Sequence, residues 1–379
     1  LKFVCNKNNL LLGVTIVQKA VSAKNTMPIL GCIYLEAADD HTLVLRTTDL
    51  EFGIEHVISV ETIEPGKAVL PAKYFIDIVR HLPDTEIMFE LAGESMLVTY
   101  AKSRMIINTY PADEFPNLPV INNIASFTLN SATFKKAVKQ AAVALAIDNN
   151  RPMFTGILLE YKGENSLTIV ATDTHRLAYN TEIVKDIEQS SELNGNLLQI
   201  IVPGKVLIEV CRILDTDSMI NLIIGKNNQV AFKFSSTLIY SRLILGQYPN
   251  YRQVMPNAFK AEAIINTKDL LNSLERAALL IREDESKKRP NNVKLNFQEE
   301  SLTLDSYAQE VGNIHEEINI QLSGEEINIS FNARYLLDAV KVIDDEKIRF
   351  KFTGPLSPAT IEPAAGDGFI YLILPVRNN

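Results

Sequence analysis

Three stretches of the chain carry apolar side chains at one shared spacing. They are Phe75, Ile78, Val79 and Leu82 in Lys73–Leu82, Leu207, Val210, Cys211 and Leu214 in Lys205–Leu214, and Leu336, Ala339, Val340 and Ile343 in Arg334–Ile343. Offsets of 3, 4 and 7 residues set one apolar stripe along a helix. Charges keep step on another face, as Lys73/Asp77/Arg80, Lys205/Glu209/Arg212 and Arg334/Asp338/Lys341. Chance does not preserve two faces at separations of 132 and 129 residues, so one unit is used three times.

A second helix recurs earlier in each unit. Leu10, Val14, Val17 and Val21 correspond to Phe134, Val138, Ala141 and Leu145, and to Leu270, Leu274, Ala277 and Ile281. Asn6, Asn130 and Asn266 precede these helices, where an Asn side chain can accept a hydrogen bond from a first-turn amide that lacks a helical partner. Pro71, Pro203 and Asn332 precede the other three, again residues tolerated at a helix start. A strand-like run lies just ahead of each helix: Lys2–Cys5, Ala68–Leu70, Ser126–Leu129, Ile200–Val202, Glu262–Ile265 and Ile327–Phe331. Between the helices, β-branched and polar residues alternate in Thr42–Arg46, Ile87–Leu91, Leu167–Ala171, Val230–Phe234, Ser301–Leu304 and Lys347–Phe352.

Each unit therefore reads as strand–helix–strands given twice. Pro- and Asn-rich segments at Phe115–Pro119 and Tyr248–Tyr251 separate the units, which predicts domains at 1–124, 125–260 and 261–379. The expected class is α+β, with three similar domains of two helices packed on antiparallel sheets.

Composition narrows the setting. Of 379 residues, 46% are apolar and 22% charged, the balance of an ordinary globular chain. No apolar run reaches the ~18–20 residues that cross a bilayer, and no secretory leader is visible, so a cytoplasmic protein with no membrane partner is expected. Cys5, Cys32 and Cys211 are odd in number and flanked by apolar residues, which suits buried thiols in a reducing compartment.

The net charge of −9 argues against nucleic acid until its distribution is counted. The helical windows 7–24 and 131–146 carry +3 each, while 72–82, 204–214, 267–282 and 333–343 carry +1 each. Helices therefore hold +10 and the rest of the chain −19. Gathered on one side, such helices would attract phosphates without reading bases. Lys73 and Lys205 from the basic rows, and Lys135, Lys136 and Lys139 by charge alone, are the candidates for that contact.

Catalytic motifs are missing from the sequence. Gly66-Lys67, Gly204-Lys205 and Gly225-Lys226 lack the upstream glycine and following hydroxyl of a phosphate loop. The five histidines form no metal-ligand spacing, and no G-x-S-x-G elbow occurs, so no catalytic residue, metal or cofactor is expected. One segment, Thr172-Asp173-Thr174-His175-Arg176-Leu177, could pair Asp173 with His175 for general-base work. The first unit has Thr48-Asp49-Leu50 at the same place without a His, which favours a turn-forming acid.

Taken together, the markers resemble the bacterial sliding-clamp family, the β subunits of DNA polymerase III. They are Met27–Gly31, Thr48–Leu50, Asp113–Leu118, Val170–Leu177, Tyr248–Arg252 and Leu374–Arg377, in order over essentially the whole chain. The resemblance implies a non-catalytic accessory subunit: a head-to-tail homodimeric ring, helices inside and sheets outside, encircling double-stranded DNA. It adds Lys24 and the loop around Asn149 as DNA contacts. It implies a pocket between the second and third domains for a short peptide of Gln followed by spaced Leu and Phe. The peptide would come from the replicative polymerase α subunit, the clamp loader, other polymerases and repair proteins. Matching positions are Phe154, Thr172, His175, Arg176, Leu177, Pro249, Val254, Asn332, Tyr335, Leu356, Leu372, Leu374, Pro375, Val376 and Arg377. The apolar members would take the hydrophobic anchors, and His175, Arg176 and Asn332 would supply hydrogen bonds at the edge. Matching positions for the subunit seam are Met105 and Ile107 with Leu279 and Leu280.

The chain departs from the family where Thr174 replaces a usual Gly, Gln253 a frequent Arg and Pro358 a frequent Ser. Two other classes stay in view: a peptide-binding scaffold whose basic helices are structural, and a hydrolase using Asp173 and His175.

Overall fold

The computed structural model describes residues 1–22, 27–148, 150–189, 197–280, 292–308, 312–366 and 368–376. Lys24, Asn149, Ile281 and Arg377 lie outside them.

The repeated helices form where the stripes require them. They are α1 (Lys7–Val17), α2 (Ala72–His81), α3 (Ser131–Ala142), α4 (Gly204–Ile213), α5 (Thr267–Leu280) and α6 (Ala333–Val340). Asn caps do what their chemistry allows. Asn6 Oδ1 accepts from the Asn8 amide at 2.8 Å, Asn130 Oδ1 from Ala132 at 3.0 Å, and Asn266 Oδ1 from Lys268 and Asp269 at 3.0 and 3.2 Å. Asn332 Oδ1 takes the Arg334 and Tyr335 amides at 2.9 and 3.3 Å.

Several stripe residues behave differently from expectation: Leu82, Leu145, Leu214 and Ile343 lie just past the ends of α2, α3, α4 and α6. In α2 the buried set is Ala72, Phe75, Ile76 and Val79, while Ile78 is half-buried. Val21 falls outside α1, because that helix gives way to a 3-10 turn at Gln18–Ala20. There the Thr47 hydroxyl donates to the Val17 carbonyl at 2.5 Å, satisfying a carbonyl at the helix end. The basic rows are also less free than a solvated face suggests. Arg80 pairs with Asp77 at 3.4 Å, Arg212 with Glu209, and Lys341 with Glu275 of α5 at 3.1 Å.

Among the described residues, all strand pairs are antiparallel, in sheets of five, nine and twelve strands. Two compact units result. One comprises Leu1–Ala132, Val184–Gly195 and Lys205–Leu243; the other comprises Thr133–Ile183, Asn196–Gly204 and Ile244–Asn379. Within the first unit, strand Phe52–Ser59 pairs with Thr237–Arg242, so the nine-stranded sheet runs from the first repeat into the second. Within the second unit, strand Arg176–Ile183 pairs with Ile370–Ile373, and the twelve-stranded sheet runs from the second repeat into the third. Backbone hydrogen bonding thus ignores the repeat boundaries. Among the described residues, no helix is long and apolar enough to cross a membrane.

Candidate functional site

The Thr-Asp segments make one turn twice. In the first unit, Asp49 Oδ1 accepts from the Glu51 and Phe52 amides at 3.0 and 2.7 Å, and the Thr48 hydroxyl donates to the Phe52 carbonyl at 2.9 Å. In the second unit, Asp173 Oδ1 accepts from His175 and Arg176 at 2.9 and 3.0 Å, and the Thr172 hydroxyl donates to the Arg176 carbonyl at 2.7 Å. Leu50 and Thr174 take the same left-handed backbone, at φ 76° and 79°. Asp173 is therefore a turn former. Its other oxygen, Oδ2, accepts from Arg176 Nε at 2.9 Å, and the exposed His175 ring stacks on Tyr335 with centroids 6.3 Å apart. The Asp173–His175 general-base pair is not formed.

Around this turn the second unit collects most of the predicted pocket. Leu177 and Leu372 face each other across paired strands and join a buried cluster with Leu158, Val170, Ile201, Tyr248 and Tyr251. Phe154 packs edge-on against Tyr248 at 6.2 Å. The Leu374 amide donates to the His175 carbonyl at 3.0 Å and the Val376 amide to the Ser330 carbonyl at 2.8 Å, which lays the terminal segment beside the turn. Pro375 and Val376 are half-buried there, while Leu374, Pro249 and Val254 present exposed surface. Leu356 is 69% exposed in the turn between strands Lys347–Phe352 and Ala359–Pro363. Phe154, Thr172, Leu177 and Leu372 are buried, so they form a floor under the exposed members.

Arg176 corrects an expectation. Only 7% exposed, it is a buried strut and not an edge donor. Its Nε meets Asp173, and one terminal nitrogen meets Asp338 Oδ2 at 2.6 Å and the Tyr371 hydroxyl at 3.5 Å. Its carbon Cζ lies 4.2 Å from the Tyr335 ring centroid, a cation–π distance. Burial opposes its charge, but Tyr371, Asp338 and Asp173 outweigh that and hold its pKa above the ordinary value. Asn332 also differs, since its Oδ1 is committed to capping α6 and only its Nδ2 remains to donate outward.

Sequence reasoning missed Asp338 and Tyr371, and also Glu160. Asp338 lay in a charged row, where its offset from Lys341 concealed a longer-range partner. Glu160 is fully buried, accepting from Gln199 Nε2 at 2.5 Å, the Tyr251 hydroxyl at 3.3 Å and the Arg252 guanidinium at 3.2 Å. Burial alone would raise its pKa, yet the hydrogen bonds from Arg252 and Gln199 keep it lowered and ionised. This network anchors the Tyr248–Arg252 marker beside the pocket floor.

The basic candidates divide. Lys73, Lys139 and Lys205 are exposed, with Lys73 Nζ 6.0 Å from the ring of the exposed Tyr74. Lys135 and Lys136 are half-buried and interact with neighbours.

For the seam, Met105 lines a shallow cavity of about 370 Å³ with Tyr74, Asp77, Ile78, His81, Leu82 and Tyr100. Ile107 is 8% exposed and belongs to the core, opposite Met96. The period-2 alternation of that edge strand instead exposes Ile106 at 68%. Leu279 is 64% exposed on α5, and Leu280 is the last residue of that helix. Among the described residues, no group of three or more His, Cys, Asp or Glu could hold a metal ion.

Family models match along the chain in order. The N-terminal domain of the DNA polymerase III beta subunit matches residues 1–119, its central domain 128–250 and its C-terminal domain 252–377. The beta sliding clamp of Bacillus subtilis is 36% identical over 389 residues, covering 100% of both chains. That of Staphylococcus epidermidis is 32% identical, over 95% of this chain and 94% of the other. Among solved structures, the Bacillus subtilis DNA polymerase sliding clamp superposes with a TM-score of 0.92 at 33% identity, over 100% of this chain and 99% of that one. A Pseudomonas aeruginosa sliding clamp bound to griselimycin superposes with a TM-score of 0.90 at 27% identity and the same coverage.

Proposed function

Because this chain belongs to the bacterial sliding-clamp family, the DNA polymerase III β subunits, we propose that it closes into a head-to-tail dimeric ring around duplex DNA. Its domains are 1–124, 125–260 and 261–379. The ring works in the cytoplasm as a processivity factor, with no catalysis of its own. Held by topology, it needs only weak phosphate contacts, which long exposed side chains such as Lys73, Lys139 and Lys205 suit. Tight contacts would stop sliding. Edge residues Ile106 and Met105 of one protomer and Leu279 of its partner form the seam.

The tethering site is the surface around the His175 turn, and its architecture is the observation that carries the reading. A buried apolar floor, an exposed apolar rim and the stacked His175–Tyr335 pair suit a short peptide with hydrophobic anchors. The replicative polymerase α subunit, the clamp loader, other polymerases and repair proteins would share it.

Loading onto nicked circular DNA by an ATP-driven loader tests the topological claim. The ring should stay on the circle and run off once the DNA is linearised. Equal retention on both forms would refute encirclement. Reversing Lys73, Lys139 and Lys205 to Glu should impair loading and leave peptide affinity alone, whereas a pure peptide scaffold would show no DNA effect.

A further inference from the structure

We infer that Asp338 and Tyr371 are positioning residues for the peptide surface: they lock the Arg176 guanidinium against Tyr335 and so preset the wall that an apolar anchor meets. The inference rests on the proposed tethering site and adds residues that the resemblance does not include.

The geometry is specific. Arg176 ties three elements together: the Asp173–Arg176 turn through Asp173, helix α6 through Asp338 at 2.6 Å, and the strand Ile370–Ile373 through Tyr371. Tyr335 and Asp338 are three residues apart in α6 and so share a face, one meeting the π-system side of the cation and the other its N–H edge. The fully buried Tyr371 then donates its hydroxyl to the Tyr335 carbonyl at 3.0 Å, fixing the first turn of α6 from behind. With Nε and one terminal nitrogen engaged inside the protein, Arg176 organises the site from beneath its surface. A wall held in place before binding costs the complex less ordering entropy.

The internal repeat supplies a control. The first unit builds the same Asp turn, but Phe52 stands in Arg176's place. In α4, Glu209 holds the place of Asp338 and pairs with Arg212 on its own helix. The turn therefore forms without the strut. What the strut adds is the coupling to α6 and Tyr335, at the one seam that carries the His175-Arg176 pair.

The test uses the full chain and a fluorescein-labelled nine-residue peptide bearing Gln with spaced Leu and Phe, read by fluorescence anisotropy. Asp338→Asn, nearly isosteric, should weaken binding about tenfold, the equivalent of one charge-assisted hydrogen bond. Asp338→Glu should restore most of the loss, and Tyr371→Phe should weaken binding less than Asp338→Asn. A core variant of the same unit, Ile265→Val, controls for general loosening and should bind like the wild type. Wild-type affinity in Asp338→Asn, or an equal loss in Ile265→Val, would overturn the inference. A wild-type chain that ignores the peptide would instead overturn the tethering site itself, and the positioning role with it.

Discussion

Replacing Thr174 by Gly should stabilise the second unit. Thr174 sits at φ 79°, a backbone region that costs an L-residue about 1–2 kcal/mol. Glycine removes that strain but gains about 0.5–1 kcal/mol of unfolded-state freedom that folding must then remove. The side chain is exposed, so little packing is lost. The turn's hydrogen bonds survive, since they use the Thr172 hydroxyl and the Asp173 carboxylate and not the Thr174 side chain. The net expectation is a gain of about 0.5–1 kcal/mol. In urea unfolding followed by far-ultraviolet circular dichroism, that is a midpoint rise of roughly 0.2–0.5 M. Thr174→Ala keeps the Cβ and should gain nothing. Leu50→Gly, at φ 76° in the equivalent turn of the first unit, should repeat the gain there, less what the half-exposed Leu50 side chain contributes by packing. A Thr174→Gly midpoint at or below wild type, or an equal rise in Thr174→Ala, would refute the strain argument.

Two further expectations come from single contacts. His56 is 7% exposed, its Nδ1 lies 2.8 Å from the Thr237 hydroxyl, and burial pushes its pKa below the ordinary 6.5. Between those two values the unfolded chain binds the proton and the folded chain does not, so stability should fall as pH drops through 6.5. Melting temperatures between pH 7.5 and 5.5 would show a slope that His56→Gln flattens, and an unchanged slope in the variant would rule His56 out as its source. Asn332→Ala removes the acceptor of two first-turn amides of α6 and should cost about 1 kcal/mol, while Asn332→Asp keeps the cap. Equal midpoints for the two variants in the same urea assay would contradict the capping role.

Much of the molecule was legible because its determinants are local. Helical stripes, Asn caps and Asp turns each depend on residues within a few positions of one another; the stripes recur in all three units and the Asp turn in the first two. Long-range partners were not legible. The row Arg334/Asp338/Lys341 suggests pairing along one helix, yet Asp338 meets Arg176 and Lys341 meets Glu275. Such pairs join residues far apart in sequence, and nothing in the local spacing of either partner marks the other.

The seam residues show the same limit at one position. Strand Ser103–Asn108 is apolar at Met105, Ile106 and Ile107, so its alternation cannot be phased from composition alone. Pairing with Ser95–Tyr100 sets the phase: Ile107 faces inward opposite Met96, and Ile106 faces outward.

By itself the sequence determined a threefold repeat, its helices with their starting caps, the excess of positive charge on those helices, and the family. Tertiary structure alone decided that sheets run on across the repeats, that Arg176 is a strut, and which isoleucine of the edge strand is exposed. The physical reason is that stripes and caps follow from backbone geometry over a few residues, whereas burial, strand register and ion pairing depend on what the rest of the chain brings alongside.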